Sequence, residues 1–126
     1  MATLNMGNSY PLTLQDIETR IKPGRIGNYA YGYINNNGAF IVKYVGRSDS
    51  DLRERIKHGL KDMEENPSLK YERFKFSYAE TIEEAYRKEC QNYHDFKGDK
   101  GWLANKAHPS SPVGMELRCT ICDNSD

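Results

Sequence analysis

The stretch Gly27–Gly46, GNYAYGYINNNGAFIVKYVG, decides the fold of this chain. Its first part carries a tyrosine at every second position, and a β-strand points alternate side chains to the same face. We therefore predict a strand with one face formed by Tyr29, Tyr31 and Tyr33. The second part, residues 39–45, is rich in β-branched and aromatic residues, which favours another strand. The whole stretch is thus predicted to be a β-hairpin.

The turn of this hairpin is rich in asparagine, and two registers of the strands are compatible with it. Residues 35–38 read NNNG, and Asn-Gly is the strongest short hairpin signal. A turn centred on the second and third asparagines places Tyr29 opposite Tyr44, which is the register that we favour. A turn centred on the last asparagine and the glycine places Tyr31 opposite Tyr44 instead. Either register brings two phenols side by side.

Length and composition indicate a single intracellular domain. The chain has 126 residues, of which 37% are hydrophobic, and 14 aromatic side chains add to what a core can bury. Neither a membrane span nor a signal peptide is predicted, because no long apolar run is present. The odd count of three cysteines argues against a disulfide framework and favours a reducing, cytoplasmic setting. The net charge of zero provides no basic excess for nucleic acid, although charge can be segregated on one face.

Three helices and a third strand are predicted around the hairpin. A threonine cap and apolar spacing predict a short helix over 13–21, and a second amphipathic helix is predicted over 51–64. Alternating aromatic residues predict a strand over 71–79. A capping box, Thr-Ile-Glu-Glu, starts the next helix at Thr81. After it, residues 102–106 are predicted to form one helical turn that packs its tryptophan on the core.

A carboxylate interrupts the apolar face of the last predicted helix. At helical spacing, one face of this helix is formed by Ile82, Ala85, Tyr86, Glu89, Cys90 and Tyr93. An unpaired buried carboxylate costs several kcal/mol or is forced to protonate. Glu89 is therefore a candidate functional residue.

The order of short motifs along the chain resembles that of the GIY-YIG nuclease superfamily. The matching pieces, spread over roughly 23–106, are Gly27-Asn28-Tyr29, Tyr44-Val45-Gly46, Leu52-Arg53-Glu54-Arg55, Glu84-Ala85 through Glu89, and Asn105. The resemblance implies an α+β fold with a small three-stranded antiparallel sheet flanked by helices, in agreement with the elements predicted above. It also implies a nuclease-like domain over 23–107, preceded by an N-terminal segment and short helix (1–22) and followed by a tail (108–126).

Two departures from the family pattern bear on the site. Tyr29 and Tyr44 are farther apart than the two motif tyrosines usually are, although lengthening both arms of a hairpin equally preserves their pairing. Gly27 completes the first motif with Tyr29, which is why we favour Tyr29 over Tyr31 as the motif tyrosine. The family histidine commonly follows the helix arginine by four residues, whereas His58 follows Arg55 by three.

The resemblance implies hydrolysis of phosphodiester bonds in DNA, the activity of homing endonucleases, restriction enzymes and a DNA-repair incision domain. Glu89 would bind one divalent cation, Mg²⁺ or Mn²⁺, since a hard ion that keeps several waters suits a site with few acids. The cation stabilises charge on the phosphate and on the leaving oxygen. Arg55 would clamp the phosphate. Glu89 would then be tolerated on an apolar face because it looks into a solvated cleft.

The remaining roles that the resemblance implies concern the proton and the substrate. Tyr29, Tyr44 or His58 would accept or relay the proton of the attacking water, although a phenol with a pKa near 10 needs help from its surroundings. Asn105 would position a side chain or the waters of the metal. Nearby basic side chains that would bind the substrate are Arg47, Arg53 and Lys57.

The C-terminal pair Cys119-x-x-Cys122 has the spacing of half a zinc site. A complete site needs two more ligands. The candidates are His94 and His108, or a second cysteine pair from a dimer mate.

Two other functional classes compete with the endonuclease. A catalytically inactive module of the same fold would bind nucleic acid or protein, and the neutral net charge favours it. A small α+β protein of unrelated function would use the hairpin only as a sheet. The residues do not distinguish DNA from RNA as the substrate, nor do they predict an oligomeric state. Positive potential gathered around the predicted basic residues would favour the enzyme over the module.

Overall fold

The computed structural model of the chain describes residues 3–105, 107–119 and 121. The elements in chain order are β1 (Tyr10–Pro11), α1 (Leu14–Arg20), β2 (Gly27–Ile34), β3 (Phe40–Ser48), α2 (Leu52–Ile56), α3 (His58–Glu65), β4 (Arg73–Tyr78) and α4 (Ile82–Asp95). Short 3-10 turns lie at Pro67–Leu69 and Gly98–Lys100. Within the described residues, no helix has the length and apolar character that crossing a membrane requires.

The four strands form one antiparallel sheet in the order β1-β4-β2-β3. The prediction of an α+β fold is confirmed, whereas the predicted count of three strands is wrong by one. The additional strand is β1, in which Tyr10 pairs with Phe74 and Pro11 with Arg73. A two-residue strand is too short to show an alternating pattern, so nothing in the sequence marks it.

The hairpin turn is centred on Asn36-Asn37, but its loop contains one residue more than the favoured register assumes. The Gly38 N–H donates to the Asn35 carbonyl (3.0 Å), and Gly38 then adopts φ +82°. In a three-residue hairpin loop, a type I turn is usually followed by a residue in the left-handed conformation. Glycine adopts this conformation without strain. The extra residue shifts the strand pairing by one position.

A bulge in β3 shifts the pairing by a second position. Gly32 pairs with Val42 and Tyr31 pairs with Tyr44, which leaves Lys43 as the extra residue. Tyr29 consequently pairs with Gly46, and the prediction that it directly opposes Tyr44 is wrong. Because this strand is rich in β-branched residues, a bulge of one residue cannot be recognised from the alternation of its side chains.

Helices cover both faces of the sheet. On one face, Tyr29 and Tyr31 pack with residues of α1 and α2 in a cluster completed by Ile17, Ile21, Leu52, Ile56, Tyr71 and Phe74. On the other face, Ala30 and Val45 pack beneath α4 with Leu4, Met6, Tyr93 and Leu103. The tyrosine period therefore predicted correctly which side chains share a face.

The helix predicted over 51–64 is interrupted at Lys57, which separates α2 from α3. The Tyr31 hydroxyl donates to the Ile56 carbonyl (2.9 Å), and the Leu60 N–H bonds to the Lys57 carbonyl, three residues back. Gly59 lies against the Tyr31 ring, and a Cβ there would overlap it. A side chain that enters the backbone ladder breaks a helix, and Tyr31 does so from the sheet beneath.

The helical turn predicted over 102–106 does not form in the described residues of that segment, and Lys106 lies outside them. Trp102 is 66% exposed, so the prediction that it packs on the core is wrong. Leu103 is buried in its place, and the Ala104 N–H donates to the Lys43 carbonyl (2.6 Å). The segment runs beside the edge of β3. Its backbone hydrogen-bonds with this edge strand in place of forming the hydrogen bonds of a helix.

Candidate active site

A cleft of about 740 Å³ opens at the β3 edge of the sheet. Its walls come from β3, α2, α3, α4 and the segment that follows residue 103. Five of the predicted site residues line it, namely Tyr44, Arg47, Arg55, Glu89 and Asn105. The structure thus places residues that are separated by up to 61 positions around one space.

Tyr29 lies buried beneath this cleft and packs against Tyr44. Their ring centroids are 6.2 Å apart, and the rings are stacked. The ring of Tyr29 covers the backbone of Gly46, where any Cβ would overlap it. The glycine that ends the Tyr-Val-Gly motif is therefore required by the close approach of a tyrosine ring. Tyr31, the alternative motif residue, is also buried, but its hydroxyl bonds to the backbone at the α2–α3 break.

The phenols of Tyr29 and Tyr44 are weak acids in this environment. Burial raises the pKa of Tyr29, and its neighbour Tyr44 adds to the effect, while the Arg55 guanidinium beside the Tyr29 hydroxyl opposes it. Burial and the Glu89 carboxylate raise the pKa of Tyr44. Both phenols are protonated at neutral pH as a result. They are suited to donating hydrogen bonds and relaying protons rather than to acting as preformed bases.

Glu89 is 8% exposed and is paired with Arg47, whose Nη1 donates to the Glu89 Oε1. The Arg47 Nε also donates to the Asp49 Oδ1 (2.9 Å). Burial raises the pKa of Glu89, and the hydrogen bond and charge of Arg47 oppose that rise. The sequence anomaly of a carboxylate on an apolar face has two explanations in the structure, because Glu89 both lines the cleft and is neutralised by a guanidinium.

Asn105 holds the segment after residue 103 against β3. Its Nδ2 donates to the Val45 carbonyl (2.8 Å), and its Oδ1 accepts from the Val45 N–H (3.1 Å). The side-chain amide thereby satisfies both backbone groups of one residue on the edge strand. Asn105 contributes to the cleft by fixing the backbone next to Tyr44.

The charges that line the cleft are mixed, with acidic groups in excess. Arg47 and Arg55 face four carboxylates, those of Asp49, Asp62, Glu65 and Glu89. Lys57 lies outside the lining and is paired with Glu18 and Glu54. The positive cluster that would favour a nucleic-acid enzyme over an inert module is not formed by these described residues. An excess of carboxylates instead favours the binding of a cation.

Besides the buried Tyr29, three residues predicted for the nuclease site do not contribute to the cleft lining, namely His58, Arg53 and Lys57. His58 is exposed at the first position of α3. The break at Lys57 interrupts the helical spacing from which we placed His58 beside Arg55.

A second cluster lies behind the wall of the cleft and includes a residue that the sequence analysis did not single out as a ligand. One ligand atom each from Cys90, His108 and Cys119 lies within 4.8 Å of the others. Cys122, the partner predicted for Cys119, lies outside the described residues. The ring of His94 lies beside that of His108, with centroids 5.3 Å apart and the planes tilted, but His94 does not belong to the cluster. Cys90 shares the inward helix face with Glu89, and counting all three cysteines as ligands would have found it.

Comparisons of the chain with family models, with curated proteins and with solved structures found no match. A function is therefore inferred from the motif order in the sequence and from the geometry of the two clusters.

Proposed function

We propose that this chain is a GIY-YIG-type endonuclease that hydrolyses DNA phosphodiester bonds with the help of Mg²⁺ or Mn²⁺. The observation that carries the proposal is the convergence of motif residues from separate elements. The cleft is lined by Tyr44 of β3, Arg55 of α2, Glu89 of α4 and Asn105, and Tyr29 of β2 lies beneath it. A hairpin of unrelated function would have no reason to bring these particular side chains together.

The donor set of the cleft fits a hard, hydrated cation. Carboxylate oxygens are the ligands that Mg²⁺ prefers, and a site with one or two of them leaves the ion several waters. Glu89 is the residue that would hold the ion, and the acidic excess of the lining supports its binding. A divalent cation supplies charge stabilisation for the phosphate and the leaving oxygen. If Glu89 binds the divalent ion, Arg47 still keeps its hydrogen bond to Asp49.

The remaining groups bind the phosphate and move the proton. Arg55 would donate to the phosphate oxygens, and the hydroxyl of Tyr29 holds its guanidinium from below. Tyr44, which lines the cleft, would relay the proton of the attacking water. The neutral phenol of Tyr44 would accept the proton of the water while it passes its own proton to the leaving oxygen, so no preformed phenolate is needed. Asn105 keeps the backbone of Tyr44 in place through Val45.

Cleavage of a DNA panel tests this proposal. Duplex, branched and single-stranded DNA, together with an RNA duplex, would be incubated with Mg²⁺, with Mn²⁺ and with EDTA. We expect metal-dependent cleavage that Glu89→Gln lowers by about 100-fold or more, because the neutral amide no longer holds the cation. Glu83→Gln is the matched control, since Glu83 lies on the same helix but is exposed and pairs only with Arg87. Glu89→Gln protein that cleaves at the wild-type rate would contradict the mechanism.

A catalytically inactive binding module is the second candidate. The ion pair between Arg47 and Glu89 favours it, because this pair already neutralises the carboxylate that a cation would use. A module would bind labelled duplex DNA with a salt-dependent affinity and cleave none of the substrates with either metal. That outcome would replace the endonuclease proposal.

A further inference from the structure

The cluster of Cys90, His108 and Cys119 is assembled from two parts of the chain. Cys90 lies in α4, and the other two residues lie in the segment that follows Asn105. Cys90 is 2% exposed and Cys119 is 6% exposed, and both belong to an apolar cluster with Tyr86. Leu117 and Ile121 pack against this cluster. The sulfur atoms are therefore shielded from solvent, as the ligands of a structural metal site are.

The imidazole of His108 lies against a backbone carbonyl. Its Nδ1 is 2.9 Å from the carbonyl oxygen of Pro109. The tautomer that donates a hydrogen bond through Nδ1 has Nε2 as the nitrogen that can bind a metal. Histidine ligands of metals are commonly oriented by such a bond to a backbone carbonyl.

Two sulfurs and an imidazole form a donor set that selects zinc. Soft thiolate ligands disfavour Mg²⁺ and Ca²⁺, and a mixed sulfur and nitrogen set with tetrahedral geometry is typical of Zn²⁺. With Zn–S bonds of about 2.3 Å, neighbouring ligand atoms in a tetrahedron lie about 3.8 Å apart. The ligand atoms here lie within 4.8 Å of one another, so small side-chain movements bring them to that spacing.

We propose that Cys90, His108 and Cys119 bind a structural zinc ion. Cys119 also begins a Cys-x-x-Cys sequence, which has the spacing of a zinc-chelating cysteine pair. Cys90 thus supplies a ligand from within the chain, where the sequence had suggested only His94, His108 or a dimer mate.

The ion would fix one wall of the candidate active site. Residues 107–110 line the cleft, and His108 belongs to both the lining and the cluster. Cys90 directly follows Glu89 in α4. Zinc would thus fasten the C-terminal segment to the helix that carries the proposed catalytic carboxylate. The zinc proposal does not depend on nuclease activity, because an inactive module with this fold would need the same wall.

Metal analysis of the full chain, purified and kept under a non-thiol reductant, tests the proposal. We expect one zinc per chain after equilibration with excess ZnCl₂ and gel filtration. Cys90→Ser, His108→Asn and Cys119→Ser should each lower the zinc affinity by about 100-fold or more, since each removes a ligand of the ion. His58→Asn is the matched control, because His58 is exposed and lies outside the cluster. Its zinc content should equal that of the wild type.

Cobalt(II) substitution keeps the proposal falsifiable if a variant fails to fold. The wild-type protein should show the absorption of tetrahedral cobalt with thiolate ligands, and Cys90→Ser should show a weaker thiolate-to-cobalt charge-transfer band. An unchanged cobalt spectrum in Cys90→Ser would overturn the site. Wild-type protein without stoichiometric metal, or with a disulfide between Cys90 and Cys119 under these conditions, would overturn the site.

Discussion

The two sides of the cleft are built in different ways. On the sheet side, packed aromatic rings determine the positions of the functional groups, with Tyr29 pressed against Gly46 and stacked on Tyr44. On the C-terminal side, the segment after residue 103 is held by the two bonds of Asn105 and by the ligand cluster around Cys90. The sheet side is rigid because close packing leaves no alternative arrangement, whereas the other side is held by a few polar contacts and would be fastened further by the proposed zinc ion.

α4 joins the two sides with consecutive residues of opposite chemistry. Glu89 offers a hard carboxylate to the cleft, and Cys90 offers a soft thiol to the buried cluster. Burial raises the pKa of the Cys90 thiol to about 12, so only a strongly held cation would deprotonate it. The two sites would therefore select different ions without competing for them.

The largest effect on stability is expected on the sheet side. Gly46→Ala forces a methyl group into the ring of Tyr29, which Tyr31 and Tyr44 hold in place, and should lower the free energy of unfolding by about 3 kcal/mol. Urea unfolding measures this change. On a Tyr29→Ala background the same substitution should cost far less, because the overlapping ring is gone. Equal costs on both backgrounds would show that the ring does not set the requirement for glycine.

A smaller effect is expected where α4 meets β3. Arg47→Met leaves the Glu89 carboxylate without its cation in a site where both side chains are only 11% exposed, and should cost about 2 kcal/mol. Adding Glu89→Gln should recover part of this loss, since no buried charge then remains. Lys57→Met removes two ion pairs from a more exposed surface and should cost clearly less than Arg47→Met. If the arginine and lysine variants lose equal stability, the pair with Glu89 is not buried in solution.

The smallest effect is expected on the C-terminal side. Asn105→Ala removes two hydrogen bonds to Val45 and should lower global stability by about 1 kcal/mol, because water replaces these partners at the sheet edge. Hydrogen exchange should show faster exchange of the Val45 amide, while the amides of the central strand β2 stay protected. The effect on Val45 should be larger in zinc-free protein. Equal exchange in zinc-loaded and zinc-free variants would mean that the metal does not hold this wall.

The sequence predicted the elements with strong periodic patterns and missed those that depend on distant contacts. The hairpin, the helix that starts at Thr81 and the strand over 71–79 could be read from their patterns. The break at Lys57 could not, because it arises from a hydroxyl 25 residues earlier in the chain. Likewise, we expected Trp102 to be the core residue of its segment. Backbone hydrogen bonding at the edge of β3 positions the segment so that Leu103 is buried instead.

In the candidate site, too, the sequence predicted residues but not the long-range contacts between them. Motif order selected Tyr44, Arg55, Glu89 and Asn105, and all four line one cleft. The pairing of Arg47 with Glu89 joins residues 42 positions apart, and nothing in either local sequence indicates that contact. His58 was selected on helical spacing alone, and it lies outside the lining because the helix does not continue through Lys57.

By itself, the sequence determined which residues alternate on a strand, which residues share a helix face and where helices begin, since these depend on neighbours in the chain. Only the tertiary structure decided the strand register, because an extra loop residue and a bulge each shift the pairing without changing the pattern. The tertiary structure also decided that Tyr29 lies under Gly46 and that Cys90 meets Cys119. Such contacts follow from how the helices pack on the sheet, and packing is a property of the whole chain.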